Sequence, residues 1–181
     1  MSESNSFKKE VETDELSLFL IQHEHVTGMS TQILSRRERP DFEVLREGRV
    51  FGLELVKVVD SPRDRFWNAL LIGSDKMSVS DASDRIQEAI YDKDRKRASC
   101  GWEFPNSTIL VVQVIGADIQ DVMRYWDETI LHEVRATGFS EIWLSDHSPI
   151  EPFGTVEIIG IKTGEWAGLH RHSAFGTKPY G

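Results

Sequence analysis

Asp41 and Glu54 are the residues whose types and spacing first call for a chemical explanation. They stand in "RPDFEVLREGRVFGLELVKVVD", residues 39–60, which reads as two strands rich in β-branched and aromatic residues. The polar "REG" between them supplies a hairpin turn, with Gly48 free to take a positive φ. Side chains alternate along a strand, so Asp41 and Glu43 share one face while Phe42 and Val44 share the other. By the same alternation Phe51, Leu53 and Leu55 oppose Gly52, Glu54 and Val56. If both apolar faces look into one core, Asp41 and Glu54 look out of the same opposite face. Carboxylates held that close repel one another unless a cation lies between them. Hard oxygen ligands with open positions are what Mg²⁺ or Mn²⁺ takes in phosphate chemistry.

The elements that must position this pair can be read on either side of it. A helix is expected from Phe7 to about Val26, with Leu16, Phe19 and Leu20 on one face and Gly28 as its stop. A strand over Ser30 to Leu34 follows. After the hairpin, "SPRDRFWNALLIGSDKMS" gives a weak signal, a short helix or loop packed by Phe66, Trp67, Leu70 and Leu71. "DASDRIQEAIYDKDRKRASC" is helical, with Ser80 or Ser83 as N-cap, Gly101 as stop and Ile86, Ala89 and Ile90 on one face. Lys93 extends that apolar stripe, where an ammonium group needs a partner, and the carboxylate pair is one. "STILVVQVIG" reads as a fully buried strand. "DIQDVMRYWDETILHEVRATG" reads as one helix from the cap Asp118 to Gly138, followed by strands "FSEIWLS" and "TVEIIGIKT" and an aperiodic tail.

With "RPDF", a hairpin and "GLELVK" in hand, the stretch from about Phe7 to Ile115 resembles the PD-(D/E)XK nuclease superfamily. The resemblance implies an α/β (mixed α+β) sheet of restriction-endonuclease-like core order αβββαβ, here with a C-terminal αββ extension. It further implies a divalent-metal-dependent nuclease in which Asp41 and Glu54 bind Mg²⁺ or Mn²⁺. The family's lysine is expected two residues after Glu54, where this chain has Val56. Lys57 is one place late and points towards the apolar face, whereas relocation to the following helix occurs in the superfamily and favours Lys93. The family's first helix often adds an acidic residue, for which Glu15 and Glu24 are both available, with Glu24 preferred.

Composition sets the outer bounds. The 181 residues suit a single domain, with a core over about 7–115 and an extension over about 116–181. A formal charge of −9 argues against holding nucleic acid by bulk positive charge, yet two basic clusters stand apart from the acidic remainder. Arg36, Arg37 and Arg39 form the first, and Lys93, Arg95, Lys96 and Arg97 the second; both can hold backbone phosphates. Nucleic acid, DNA ahead of RNA, is therefore the expected partner. The single Cys100 cannot form an internal disulfide, no apolar run approaches a membrane span, and the N-terminus has no signal-peptide character, so a cytoplasmic protein is expected. A homodimer through Tyr125, Trp126 and Leu131 is compatible with this reading. The alternative function is a catalytically inactive nuclease-fold protein that binds nucleic acid or another protein. His23/His25 and His170/His172 invite a zinc reading, but residues two apart on a helix point about 200° apart, which argues against the first pair.

Overall fold

The structure, a computed structural model, describes residues 3–59, 77–99, 101–147, 156–163, 169–171 and 177–179. Phe66, Trp67, Leu70, Leu71, Cys100 and His172 lie outside them, and with them the expected packing of residues 61–76 and the second histidine pair. The described chain runs α1 (Glu3–Thr27), β1 (Thr31–Arg36), β2 (Phe42–Arg46), β3 (Arg49–Val58), α2 (Val79–Ser99), β4 (Thr108–Val114), α3 (Ile119–Tyr125), α4 (Glu128–Ala136), β5 (Glu141–Asp146), β6 (Glu157–Lys162), β7 (Leu169–Arg171) and β8 (Thr177–Pro179). It is a mixed α/β protein built on one sheet whose spatial order follows the chain order from β1 to β8. β3, β4 and β5 are parallel, and the strands on both sides of them join antiparallel.

Sheet parity creates two cores. Phe42, Val44, Leu53, Leu55, Ile109, Val111 and Trp143 face α1, whose Leu16, Phe19 and Val26 cover them. The alternate residues Leu110, Val112, Val114, Ile142 and Leu144 face Ile86 and Ile90 of α2 and Ile119, Val122 and Val134 of α3 and α4. The wholly buried pattern of β4 follows from helices on both faces, as its unbroken apolar run requires.

Local chemistry explains the junctions. The hairpin between β2 and β3 closes at Arg46↔Arg49 around Glu47 and Gly48, both with positive φ, 49° and 75°. That is the geometry whose twist suits a two-residue connection. α2 begins before either expected cap, two residues ahead of Ser80: Ser78 Oγ accepts from the Asp81 amide at 3.1 Å, so Ser78 is the capping side chain. Ser83 lies inside the helix, fully buried, and accepts from the Trp126 indole at 2.8 Å. The single helix expected over residues 118–138 is two. Trp126 takes an extended backbone to reach Ser83, and Asp127 restarts the helix by accepting from the Ile130 amide at 2.9 Å. Trp126 therefore belongs to the core, and the apolar surface envisaged for a dimer shrinks to Tyr125, 52% exposed, beside a partly buried Leu131. The tail holds β7 and β8, each too short for a periodic signal.

Candidate functional site

Asp41 sits immediately before β2, and the pairing Phe42↔Leu53 sets it opposite Glu54. The close approach depends on Gly52. A Cβ there would stand 2.5 Å from Pro40 Cγ, so only glycine lets Pro40 lie against β3 and deliver Asp41 to its neighbour. The two acids are then cross-connected through the backbone. The Asp41 amide donates to Glu54 Oε2 at 3.1 Å, and the Leu55 amide donates to Asp41 Oδ2 at 2.9 Å.

The third member comes from the helix. Lys93 lies one turn beyond Ile90 on the buried stripe of α2, and its ammonium donates to Glu54 Oε1. Glu54 is 4% exposed, so the pair is partly withdrawn from water. Burial pushes the Glu54 carboxyl above its ordinary range, the Asp41 charge adds to this, and Lys93 opposes it. Burial likewise raises Asp41, against the pull of the Leu55 amide and Lys93, with Glu12 adding a smaller push upward. Desolvation leads both shifts, and the single neighbouring ammonium does not offset it.

Glu12 is the acidic residue of α1 that acts on Asp41, and it is held by Arg36. Sequence reasoning named Glu15 and Glu24 instead. Glu15 binds Lys57 at 2.7 Å, while Glu24 is exposed towards the other end of α1. Glu12 lies one turn before Glu15, but placing it requires the crossing of α1 over the sheet, which no local pattern encodes.

Lys57 and Lys93 approach the sheet from opposite sides. Lys57 pairs with Gln113 in register, on the α1 face, so alternation separates it from Glu54 as expected. The other cations divide in a way their sequence clustering did not reveal. Arg36 is tied to Glu12 and lies 5.0 Å over the Phe42 ring. Arg37 is tied to Glu43 and Glu103. Arg97 holds Asp94 at 2.8 Å and the Pro105 carbonyl at 2.7 Å, and lies 5.6 Å over Phe139, a structural clasp. Arg39 and Lys96 are exposed.

Asp41 and Glu54 suit a hard divalent ion. Two oxygen ligands are a sufficient protein share for Mg²⁺, which keeps waters and takes substrate phosphate oxygens for the remainder. Among the described residues no group of three or more His, Cys, Asp or Glu side chains gathers to form a closed metal site. Among them, too, no helix is long and apolar enough to cross a membrane. Comparison with models of known protein families, with curated proteins and with solved structures finds no match.

Proposed function

We propose that the chain is a divalent-metal-dependent phosphodiesterase acting on nucleic acid, built on the restriction-endonuclease-like core that its motif resembles. The observation that carries this reading is the convergence of Lys93 with Glu54 and Asp41, from three separate elements, at a pair of carboxylates whose proton affinities are raised. Such perturbed groups in a partly dry setting mark functional positions. A structural ion pair gains nothing from a second buried carboxylate beside it.

Asp41 and Glu54 would hold Mg²⁺ or Mn²⁺, which when bound polarises a phosphoryl oxygen and lowers the pKa of a coordinated water. Within this chain Glu54 holds the Lys93 ammonium in place, and Lys93 is set to stabilise charge developing on the phosphorus oxygens or to orient the attacking water. Asp41 is held at Oδ2 by the Leu55 amide.

The test is calorimetric titration of Mn²⁺ into the wild type and the Asp41→Ala/Glu54→Ala variant, followed by hydrolysis assays on Glu54→Gln. Saturable binding lost in the double variant, with cleavage lost in Glu54→Gln and folding retained, is expected. Cleavage unchanged in Glu54→Gln would sink the reading. The inactive-module alternative draws on Val56 at the position where the resemblance expects the lysine and on the formal charge of −9. Salt-dependent nucleic-acid binding without any Mn²⁺ binding would favour it.

A further inference from the structure

A groove of about 290 Å³ opens between α2 and the last residues of β3, and Lys93 belongs both to it and to the carboxylate pair. β2 pairs with β3 only as far as Leu53, so among the described residues no strand covers the β2-side edge over residues 56–58. Three cations of α2 line the groove, Arg85, Lys93 and Lys96, while Lys57, which also borders it, has its ammonium on Glu15 on the α1 face. Two carboxylates face them, Glu88 and Asp92, and Asp92 is engaged by Arg95. The α2 side chains that line it thus sum to one positive charge on a chain whose formal charge is −9. Arg85 is anchored to the Val59 carbonyl at 2.7 Å, which fixes one end, while Lys96 is exposed and makes no ion pair among the described residues.

We infer that this groove is the track for one nucleic-acid strand, contacted through its phosphodiester backbone and not through its bases; the inference rests on the phosphodiesterase reading. Three features select that occupant. The cations recur along one face of α2, with Lys93, the residue that contacts Glu54, between Arg85 and Lys96. Among the described residues no aromatic side chain lines the groove, so none of them offers the stacking platform that base contacts use. Its volume lies at the lower limit of ligand pockets, which suits a single strand and not the bulk of a duplex.

The test uses the full chain in EDTA, so that binding is read without hydrolysis. A fluorescent single-stranded oligonucleotide is titrated at several salt concentrations. Wild type is expected to bind with a log Kd that rises linearly with log salt, and Arg85→Gln/Lys96→Gln to lower that slope by about 0.7 per cation removed. Glu88→Gln should tighten binding, and Arg124→Gln, away from the groove, should leave the slope unchanged. Oligonucleotides of unrelated sequence should bind within about twofold of each other, and the matching duplex at least about tenfold more weakly. An unchanged slope in the double variant, equal affinity for duplex, or equal competition by polyglutamate of the same charge would overturn the inference. Because no metal is present, these outcomes are independent of Mn²⁺ binding, whose absence would count against the phosphodiesterase reading alone.

Discussion

Two buried charge constellations lie on opposite faces of the same sheet and are built in contrasting ways. On the α1 face Arg46 holds Glu141 through both guanidinium nitrogens, at 3.1 Å for the longer contact, and the Trp143 indole donates to the same carboxylate at 2.9 Å. Glu141 therefore has its opposite charge and a third donor from the protein itself. On the α2 face Asp41 and Glu54 share one lysine, and both carboxyls are pushed upward. The first constellation closes on itself. The second carries an excess of negative charge beside an open groove, so it gains by taking in a cation.

The largest effect is expected where the closed constellation is broken. Arg46→Ala leaves Glu141 buried without its counter-charge and should lower unfolding free energy by about 3–5 kcal/mol in urea. The Arg46→Met/Glu141→Leu pair should recover most of that loss, because it removes both charges together. If Arg46→Ala costs less than about 1 kcal/mol, the contrast between the two faces fails.

Acid titration separates the faces next. Burial holds His23 down to about 4, with Glu141 pulling up and Arg46 down, and burial with Lys57 holds His147 at about 4. The unfolded chain protonates these rings near pH 6.5, so it binds more protons than the native state between about pH 6.5 and 4. Stability is thus full above that window and falls as pH drops through it, by up to roughly 3 kcal/mol per histidine. The carboxylate pair has the opposite sign. Its raised proton affinities favour the native state below the ordinary carboxylate range and disfavour it as pH rises through the folded-state values. Urea midpoints from pH 7.5 to 4 should show the histidine loss, flattened in His23→Gln, while Asp41→Asn should stabilise the metal-free protein most at the alkaline end. A steeper acid slope in His23→Gln would contradict the assignment.

Metal linkage sharpens the comparison at a smaller energy. Mn²⁺ at a hundredfold over its Kd should stabilise the wild type by about 2.7 kcal/mol. Asp41→Asn and Glu54→Gln should abolish the shift, and a variant of the closed pair that still folds should retain it. Since the carboxyls must lose their protons to bind the ion, affinity should rise with pH through the raised values and then level off. A stabilisation equal in Glu54→Gln would place the ion elsewhere.

How much of this was legible in the sequence follows from how far apart the partners lie. The hairpin, its turn and the shared face of Asp41 and Glu54 were readable because strand alternation is local. Lys93 was readable because helical spacing from Ile86 and Ile90 gave its direction. Arg46 and Glu141 are 95 residues apart and meet across the sheet, so neither could be named from periodicity. Arg97 looked like a phosphate ligand because its neighbours are basic, yet Asp94, Pro105 and Phe139 claim it. The break at Trp126 escaped because the helical pattern continues through it, and only the reach to Ser83 and the cap at Asp127 interrupt the backbone.

The smallest expected effect decides which lysine serves the chemistry. Lys57 is partly exposed and binds Glu15 on the α1 face, an ion pair worth at most about 1 kcal/mol. Lys57→Met should therefore leave Mn²⁺ affinity, KM and kcat nearly unchanged. On the phosphodiesterase reading, Lys93→Met acts on the reacting centre. Removing its charge takes away the competitor of the metal at Glu54, so Mn²⁺ should bind at least as tightly, while kcat should fall by about 10²–10³-fold. A fall in kcat with undiminished Mn²⁺ affinity separates this role from a collapse of the site, which would weaken both. If Lys57→Met instead lowers kcat and Lys93→Met does not, the reacting face of the sheet is the one under α1, and the assignment of the two faces is reversed.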